Sequence, residues 1–473
     1  MSSQGIELDQ IGRSSEDKSF DLSFENGNEF TIEDPTEFPK TVEFKGHTLI
    51  IENTDIKESV KLRFQTVVIS TTFMIMGILD QSLGSVMEYL LEDYHTDRTH
   101  LSNLFIFQAL GYILASFTNN KLYKQLGLKG LFPLSLVLMG SWSAAFAAKL
   151  NLGPLIFFAM VNGIGFGTAD CAMNLYVGNL KYSNQLLGTM HAFYGFGCFI
   201  SPLLCTYLIH QGFSWNQYYI IILALISVEL VGALTLFTHE TGLKYQYQLK
   251  LDREKEGDED EVTFIQIVKN KYVLFFSTCL FFYLGSELSL GVWLFNYLLR
   301  IHEFTDSSSS YVTSAYWIFL TAGRLVLGLV TGHLFDDFET KGMIIYCTLV
   351  TIGVCVFWLF NHIPLIMITS ICFVGFFVGP MFSVTVVISM KTLPKRLSTA
   401  GVAIICGLGA MGATVMPYIM GLIADNTAGG DGAGLVYFPF YELLLFLSAN
   451  MMWVFFFFRN KRTLELYERL PSD

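Results

Sequence analysis

Long apolar runs, separated by short polar segments, make up most of the sequence after residue 63. A run of about 18 or more apolar residues is long enough to cross the hydrocarbon core of a bilayer as a helix. The pattern therefore predicts an all-α membrane protein with twelve transmembrane helices. The predicted spans are 64–91, 101–119, 130–149, 154–180, 185–209, 217–238, 272–299, 308–331, 342–361, 364–391, 398–423 and 435–458.

Polar segments at the ends and in the middle divide the chain into five predicted parts. We expect the acidic segment at the start to be largely disordered, although Thr48–Ile51 has the composition of a short strand. The charged segment after the sixth span predicts a soluble linker with short surface helices. The parts are a tail at 1–60, an N-terminal six-helix half at 61–238, a linker at 239–271, a C-terminal six-helix half at 272–460 and a second tail at 461–473.

The distribution of Lys and Arg predicts how the chain is oriented. The loops on one side carry fourteen of these residues, whereas the loops on the other side carry only Arg98, Lys149 and Arg300. Cytoplasmic loops are enriched in positive charge, so both termini and the linker are predicted to be cytoplasmic. Our working expectation is the plasma membrane rather than a vacuolar or other internal membrane.

The composition excludes several classes of protein. Hydrophobic residues make up 52% of the chain and charged residues 15%, whereas charged residues are about 25% of an average protein. The net charge of −12 comes mainly from the tail and implies no basic partner. The sequence has no basic stripe for nucleic acid, no P-loop, no metal-ligand cluster and no nucleophile motif. We predict no enzymatic activity, catalytic residue, metal or cofactor, and the expected partners are lipid, a small molecule and protons.

The two predicted halves share a sequence pattern. Four pairs of positions recur in the same order, at offsets between 207 and 215 residues. Two parallel six-helix repeats with a central site between them are typical of secondary transporters. The pairs are Asp80/Gly84 with Glu287/Gly291, Gly111/Leu122 with Gly323/Leu334, Gly163/Gly167 with Gly375/Gly379, and Gly197/Pro202 with Gly412/Pro417.

Polar residues inside the spans of the N-terminal half are the candidates for proton coupling. An ionisable side chain at membrane depth costs at least about 2.5 kcal/mol, so it usually faces a cavity, a partner or a substrate path. Asp80 and Asp170 are predicted to carry protons. Asn174, which shares a helical face with Asp170, and His191 are predicted to bind substrate. The alternatives are that Asp170 only ties helices together and that His191 is a structural hydrogen-bond donor.

The seventh and eighth spans supply the remaining candidates for substrate binding. Glu287 and Asn296 combine a carboxylate and an amide, which bond hydroxyl groups, with Trp293 and Trp317, whose rings can stack on the apolar face of a sugar. This combination favours a polyhydroxylated ligand. Trp293 could instead anchor the helix at the membrane interface.

Four residues of the eighth span and the turn after it are predicted to have gating or structural roles. Arg324 is expected either to extend toward the cytoplasmic surface or to pair with an acid. The other three are Gly323, Gly332 and Asp336.

The chain resembles the major facilitator superfamily in its twelve spans, its repeated halves and its Gly332-x-Leu334-x-Asp336 turn. Between Gly77 and Asp425 it also resembles the fucose–proton symporter branch, together with eukaryotic glucose transporters and fungal bypass-of-stop-codon-type membrane proteins. The motifs that carry this second resemblance are Asp80 after Gly77, Asp170-x-x-x-Asn174-x-x-Val177, His191-x-Phe193-x-x-Phe196-Gly197, Tyr283-x-Gly285-x-Glu287 and Gly323-Arg324.

The resemblance implies that Asp80 and Asp170 couple the movement of a proton to that of a sugar. The bacterial symporter has Glu at the position of Asp170 and Gln at the positions of His191 and Glu287. These departures fall in the presumed sugar cavity, so the resemblance does not name the substrate.

The sequence therefore predicts a secondary active transporter that takes up a monosaccharide or related polyol with a proton by alternating access. Three alternatives stay open at this point. One is a proton-independent facilitator of the same substrates, one is a nutrient sensor or scaffold that no longer transports, and one is an exporter of an amphipathic metabolite.

Overall fold

The computed structural model describes residues 39–256, 264–334, 339–393, 395–425 and 432–467. It contains a short β-hairpin followed by fifteen α-helices and one 3₁₀ helix within these residues. The first seven helices are α1 Val60–Tyr94, α2 Arg98–Ala147, α3 Leu152–Gly178, α4 Ser183–His210, α5 Trp215–Leu236, α6 Gly242–Glu256 and α7 Phe264–Val268. The others are α8 Lys271–Ile301, α9 Asp306–Leu334, α10 Glu339–Phe360, α11 Pro364–Val378, α12 Met381–Thr392, α13 Lys395–Ala410, α14 Gly412–Asp425, the 3₁₀ helix Ala433–Tyr437, and α15 Phe438–Tyr467.

Ten helical stretches of the described residues are long and apolar enough to cross a membrane. The helix α2 has 50 residues and contains the predicted span 101–119 and most of the span 130–149. The predicted span 308–331 falls within α9, which is not among the ten and begins with an acid and four serines. The predicted all-helical membrane architecture is confirmed, while the orientation of the termini stays a prediction.

The expected turn between the second and third spans is a sharp bend inside α2. At Gly127 the backbone is non-helical, with a φ of 64° that favours glycine. A side chain there would also collide with the backbone of the linker at Glu240–Gly242. The linker therefore passes directly over this bend, and the amide of Lys129 donates a hydrogen bond to the carbonyl of Glu240 (2.9 Å).

The predicted repeat is visible in how helices pack within each half. Gly111 of α2 lies against the backbone of Met160 in α3, and Gly323 of α9 lies in the same way against Phe376 in α11. A glycine at such a contact lets two helices approach backbone to backbone.

A second pair of glycines repeats another helix contact. Gly197 of α4 lies against the backbone of Met74 in α1, and Gly412 of α14 lies against that of Phe281 in α8. The two halves then meet along α1 with α8, α2 with α14 and α4 with α9. The central site is built from these six helices and α3.

The end of the acidic tail forms an N-terminal strap, residues 40–57, on the membrane-spanning body. It starts as an antiparallel hairpin of β1 Lys40–Phe44 and β2 His47–Ile51, so the short strand expected at 48–51 is present. Lys45 and Gly46 form its turn with positive φ, as a two-residue hairpin loop requires. Residues 1–38 of the predicted disordered tail lie outside the described residues.

The strap is fixed to the linker helix and to the ends of the N-terminal half. Lys45 Nζ donates to Gln246 Oε1 of α6 (2.7 Å). Glu52 pairs with Lys61 (2.6 Å) and with His239 (2.7 Å). Asp55 pairs with Lys181 (2.7 Å) in the segment between α3 and α4.

These contacts control the charge of the strap acids. Burial raises the pKa of Glu52, but the Lys61 ammonium and His239 outweigh burial and hold that pKa below its ordinary value. The Lys181 ammonium and the Lys57 amide lower the pKa of Asp55. A carboxyl whose pKa is lowered by folding stabilises the fold above its ordinary pKa, and this stabilisation is lost as pH falls through the lowered value.

We predict that Glu52→Gln weakens attachment of the strap at neutral pH. The loss should be at most about 1 kcal/mol because the ion pairs are partly exposed. Limited proteolysis of the full chain in detergent should cut the segment 40–57 faster in this variant than in the native chain, and the difference should vanish in acid. Glu43→Gln makes the same charge change at an exposed position of β1, so it should be cut at the native rate. Equal rates for both variants at neutral pH would contradict the prediction.

Candidate functional site

The structure places Asp80 of α1 in the middle of the N-terminal half, with hydrogen bonds from two other helices. The hydroxyl of Tyr194 in α4 donates to Asp80 Oδ2 (2.6 Å), and the amide of Gln108 in α2 donates to Oδ1 (3.3 Å). Both partners are neutral. The sequence interpretation did not identify them, although Tyr194 lies within the His191–Gly197 motif.

The second acid of this half, Asp170 of α3, forms a similar cluster. The hydroxyl of Tyr112 in α2 donates to Asp170 Oδ2 (2.6 Å), and Asn174 Nδ2 donates to Oδ1 (2.8 Å). His191 Nε2 lies 3.3 Å from Asn174 Oδ1, which extends the cluster to α4. The face shared by Asp170 and Asn174 is therefore a polar face inside the protein, as the spacing predicted.

No lysine or arginine of the described residues forms an ion pair with Asp80 or Asp170. Each carboxyl is surrounded by hydroxyl and amide groups. An ionised carboxylate without a cationic partner is costly in an apolar region. Binding a proton would remove that charge at either position.

Glu287 of α8 has a different environment because it is paired with a cation. Arg324 Nη2 of α9 lies 2.6 Å from Glu287 Oε1, and the hydroxyl of Tyr283 donates to the other carboxylate oxygen. The carboxylate is only 1% exposed. Of the two expectations for Arg324, the structure favours pairing with an acid over an extension to the surface.

Arg324 also connects the two halves. Its Nη1 atom points at the backbone carbonyl of His191 in α4, at 3.5 Å. The cluster of Asp170, Asn174 and His191 therefore lies next to the Glu287–Arg324 pair across the interface between the halves. Four of the predicted site residues and Arg324 are brought together here.

Three other predicted substrate-binding residues lie in helix contacts and are fully buried. Trp293 Nε1 donates to the carbonyl of Pro417 in α14 (2.9 Å). Asn296 Nδ2 donates to the carbonyl of Gly84 in α1 (3.1 Å), across the two halves. Trp317 packs against Gly291 of α8. In this conformation these side chains hold helices together, and the structure does not gather them with the central acids.

The remaining predicted gate residues are only partly described. Gly323 is the close-contact glycine between α9 and α11. Gly332 lies within α9, and Asp336 lies outside the described residues.

A cluster of charges that the sequence interpretation missed joins the halves at one end of the site. This outer cluster consists of Glu88, Arg98, Arg300 and Asp425, on the side that the predicted topology places outside. Glu88 accepts hydrogen bonds from Arg98 Nη2 and Arg300 Nε (both 2.7 Å). Asp425 accepts a hydrogen bond from the backbone amide of Thr99 (2.6 Å). Glu88 and Asp425 stand at the ends of apolar runs, where a charge is not unusual enough to be noticed.

In the region between the outer cluster and Arg324, further hydrogen bonds connect the two halves. Tyr89 in α1 donates to Asp306 at the start of α9 (2.9 Å), and Ser314 of α9 donates to the carbonyl of Phe199 in α4 (2.8 Å). The end of the site nearer Glu88 is therefore closed in this structure.

Comparison with known families and proteins gives consistent matches. A family model described as Major Facilitator Superfamily matches residues 69–334. Bypass of stop codon protein 6 of Saccharomyces cerevisiae is 27% identical, over 91% of this chain and 89% of that protein. The glucose/mannose transporter GlcP of Bacillus subtilis is 20% identical, over 74% of this chain and 85% of that protein.

Two solved structures share the fold. A D-xylose–proton symporter has a TM-score of 0.65 and 12% identity, over 83% of this chain and 97% of the other. The fucose:proton symporter of E. coli has a TM-score of 0.54 and 14% identity, over 83% of this chain and 98% of the other. At these identities the similarity shows the fold alone.

We predict that removing one partner of the buried ion pair is more harmful than removing both. Arg324→Gln leaves the Glu287 charge buried without a cation, which typically costs about 3–5 kcal/mol. The double variant Glu287→Gln with Arg324→Gln should have a melting temperature closer to that of the native chain than Arg324→Gln alone. Melting of the three proteins in one detergent, followed by tryptophan fluorescence, measures this. A double variant that melts below Arg324→Gln would contradict the pairing.

We also predict that Glu88→Gln opens the outer end of the site. The change weakens the hold of Glu88 on Arg300, and it removes the charged partner that lies 2.7 Å from the buried Arg98, whose contact with Asp425 is longer, at 3.8 Å. A cysteine introduced for Val292, which lies against Gly84 of the other half, should react several-fold faster with a membrane-impermeant maleimide in this variant. Glu92→Gln removes an exposed charge one turn away and should leave the labelling rate unchanged. Equal labelling in both backgrounds would show that Glu88 does not hold this end closed.

Proposed function

We propose a transport function for this chain, which belongs to the Major Facilitator Superfamily. The family that the sequence resembled is thus confirmed, and with it the expectation of a multi-pass membrane transporter rather than an enzyme. The proposal concerns what the transporter moves and how it is driven. We propose secondary active transport of a monosaccharide or related polyol, coupled to a proton.

The observation that carries the proposal is the difference between the acids of the two halves. Glu287 is neutralised by Arg324, whereas Asp80 and Asp170 have only neutral partners. An uncompensated carboxylate in an apolar region is costly, so binding a proton is the direct way to neutralise it. Asp80 and Asp170 are therefore the groups whose charge changes during transport.

Protonation would act by changing the preference between conformations. A ligand shifts an equilibrium only by its differential affinity for the two states, and this holds for a proton as well. The described conformation is closed near the outer cluster, so the proton and the substrate would leave from the opposite end. The empty carrier would then return to a state in which the outer cluster is separated.

The groups around the acids suit a ligand with several hydroxyl groups. Asn174 and His191 offer amide and imidazole groups beside Asp170, and Gln108 and Tyr194 lie beside Asp80. Carboxyl, amide and imidazole groups can both donate to and accept from hydroxyls. The glucose/mannose transporter among the relatives gives independent support for a monosaccharide substrate.

A proton-independent facilitator is the second candidate, and one observation favours it. Asp80 and Asp170 each accept a hydrogen bond from a tyrosine hydroxyl at 2.6 Å. In a facilitator these bonds would be permanent, and the acids would hold α1 to α4 and α2 to α3 without exchanging protons.

We predict that Asp80→Asn abolishes uphill accumulation but keeps substrate binding. The amide preserves the size of the side chain and its neutral form, but it cannot gain or lose a proton. In cells, the ratio of internal to external sugar should fall to about 1, because the proton gradient no longer contributes to the driving force. Exchange of labelled for unlabelled sugar in proteoliposomes should continue.

A matched control separates coupling from a general effect of losing an acid. Glu229→Gln neutralises a half-buried acid of α5, which lies near Thr72. This variant should accumulate sugar as the native chain does, and a protonophore should abolish that accumulation. Accumulation that resists the protonophore in the native chain would favour the facilitator, and full accumulation by Asp80→Asn would remove Asp80 from coupling.

A further inference from the structure

Glu442 is a buried acid of the C-terminal half that the proposed transport mechanism does not use. It lies in the first turns of α15, and none of its surface is exposed. Neither carboxylate oxygen has a hydrogen-bond partner among the described residues. This contrasts with Glu287, whose oxygens are bound by Arg324 and Tyr283.

A second buried polar group without a partner lies beside Glu442. The hydroxyl of Ser289 in α8 is close to the carboxyl group but not in hydrogen-bonding geometry, and it has no other partner in the described part of the chain. Both side chains are 0% exposed. Two adjacent buried groups with unmet hydrogen-bonding capacity are unusual, because most buried polar groups in proteins are paired.

The other titratable groups that face Glu442 are bonded elsewhere. The hydroxyl of Tyr441 donates to the carbonyl of Met416 (2.8 Å), and that of Tyr316 in α9 donates to the carbonyl of Glu287 (3.1 Å). Tyr316 is within electrostatic range of both Glu287 and Glu442. The cation on this side of the half, Arg324, is paired with Glu287. The helix α10 also packs against α15. Its polar contact there is that of Thr351 with Asn450, which lies two turns beyond Glu442 along α15.

A proton is the ligand that fits this pair of groups. An ionised carboxylate without a partner would cost several kcal/mol at this depth. A protonated carboxyl has an O–H that can donate to Ser289 Oγ, and this bond would give each of the two groups a partner. Ca²⁺ and Mg²⁺ take about six or more oxygen ligands, and the described residues offer here one carboxyl group and one hydroxyl.

We infer that Glu442 and Ser289 form a proton-binding site of the C-terminal half, separate from Asp80 and Asp170. Ser289 stands two residues after Glu287 on α8, the helix that packs against α1 of the other half. When α8 separates from α1 in alternating access, the surroundings of Ser289 and of the carboxyl change, and the proton is bound or released. The inference needs alternating access only, and it holds whether or not the substrate is a sugar and whether or not Asp80 couples.

Infrared difference spectroscopy of the full chain in lipid, without substrate, tests the site. A protonated carboxyl gives a carbonyl stretching band that an ionised one lacks. Protonated Asp80 or Asp170 gives such a band as well, so the Glu442 band is the component that native protein shows in acid and loses on raising the pH, and that Glu442→Gln lacks at every pH. Glu229→Gln should retain it, which controls for the removal of an acid elsewhere.

A second variant keeps the carboxyl in place and does not depend on the folding of Glu442→Gln. Ser289→Ala removes the acceptor for the carboxyl proton, so the same band should move to the frequency of a carboxyl without a hydrogen bond. An unmoved band in Ser289→Ala overturns the assignment of the pair. A Glu442 band that persists at all pH values shows a permanently neutral acid, and the absence of a Glu442 band shows a permanently ionised one. Either result overturns the inference.

Discussion

The buried ion pair between Glu287 and Arg324 is the interaction on which the centre of the molecule depends. It neutralises a carboxylate that is almost completely inaccessible, and it fixes α8 against α9 at the level of the site. The same guanidinium reaches the backbone of α4 in the other half. Because the pair has no net charge, it adds little to the electrostatic environment of the N-terminal acids. Asp80 and Asp170 are then the acids of the central site that have only neutral partners.

Around this pair, backbone contacts at glycines give each half its rigidity. The same contact between two helices occurs once in each half, at Gly111 and Gly323, and again at Gly197 and Gly412. Helices packed so closely are expected to move as one body, since sliding would bring side chains into the gap. The contacts between the halves include ion pairs and hydrogen bonds, such as Glu88 with Arg300 and Asn296 with Gly84, which can be exchanged for water when the halves separate.

Much of the fold could be predicted from the sequence because lipid imposes one rule on every span. A run such as 64–91 must be helical to satisfy its own backbone, so its existence follows from hydropathy. The repeat was also readable, since Gly111 and Gly323 mark equivalent contacts. The sequence did not predict that α2 continues as a helix up to Gly127, because a polar helix and a polar loop have similar compositions there.

The site was only half predictable. Asp80, Asp170 and Glu287 stand out because an ionisable side chain in an apolar run is costly and is usually there for function. Their tyrosine partners Tyr112 and Tyr194 do not, since they lie on other helices. Arg324 did stand out, but which acid it pairs with is set by how the helices pack. Trp293 and Asn296 show the converse, because a polar or aromatic side chain that fills a contact between helices looks, in sequence, like one that lines a cavity.

The strap bears on how far apart the two halves can travel. The helix α6 is bonded to the strap and, through Gln246 and Lys124, to α2 just before its bend at Gly127. It therefore belongs mechanically to the N-terminal half. The helix α7 packs against α8 and α13, and its Ile267 is buried, so α7 belongs mechanically to the C-terminal half. The length of chain that joins the moving halves is therefore 257–263, and not the whole segment 239–271. Lengthening or shortening that stretch would change how far the two halves can separate without altering either half.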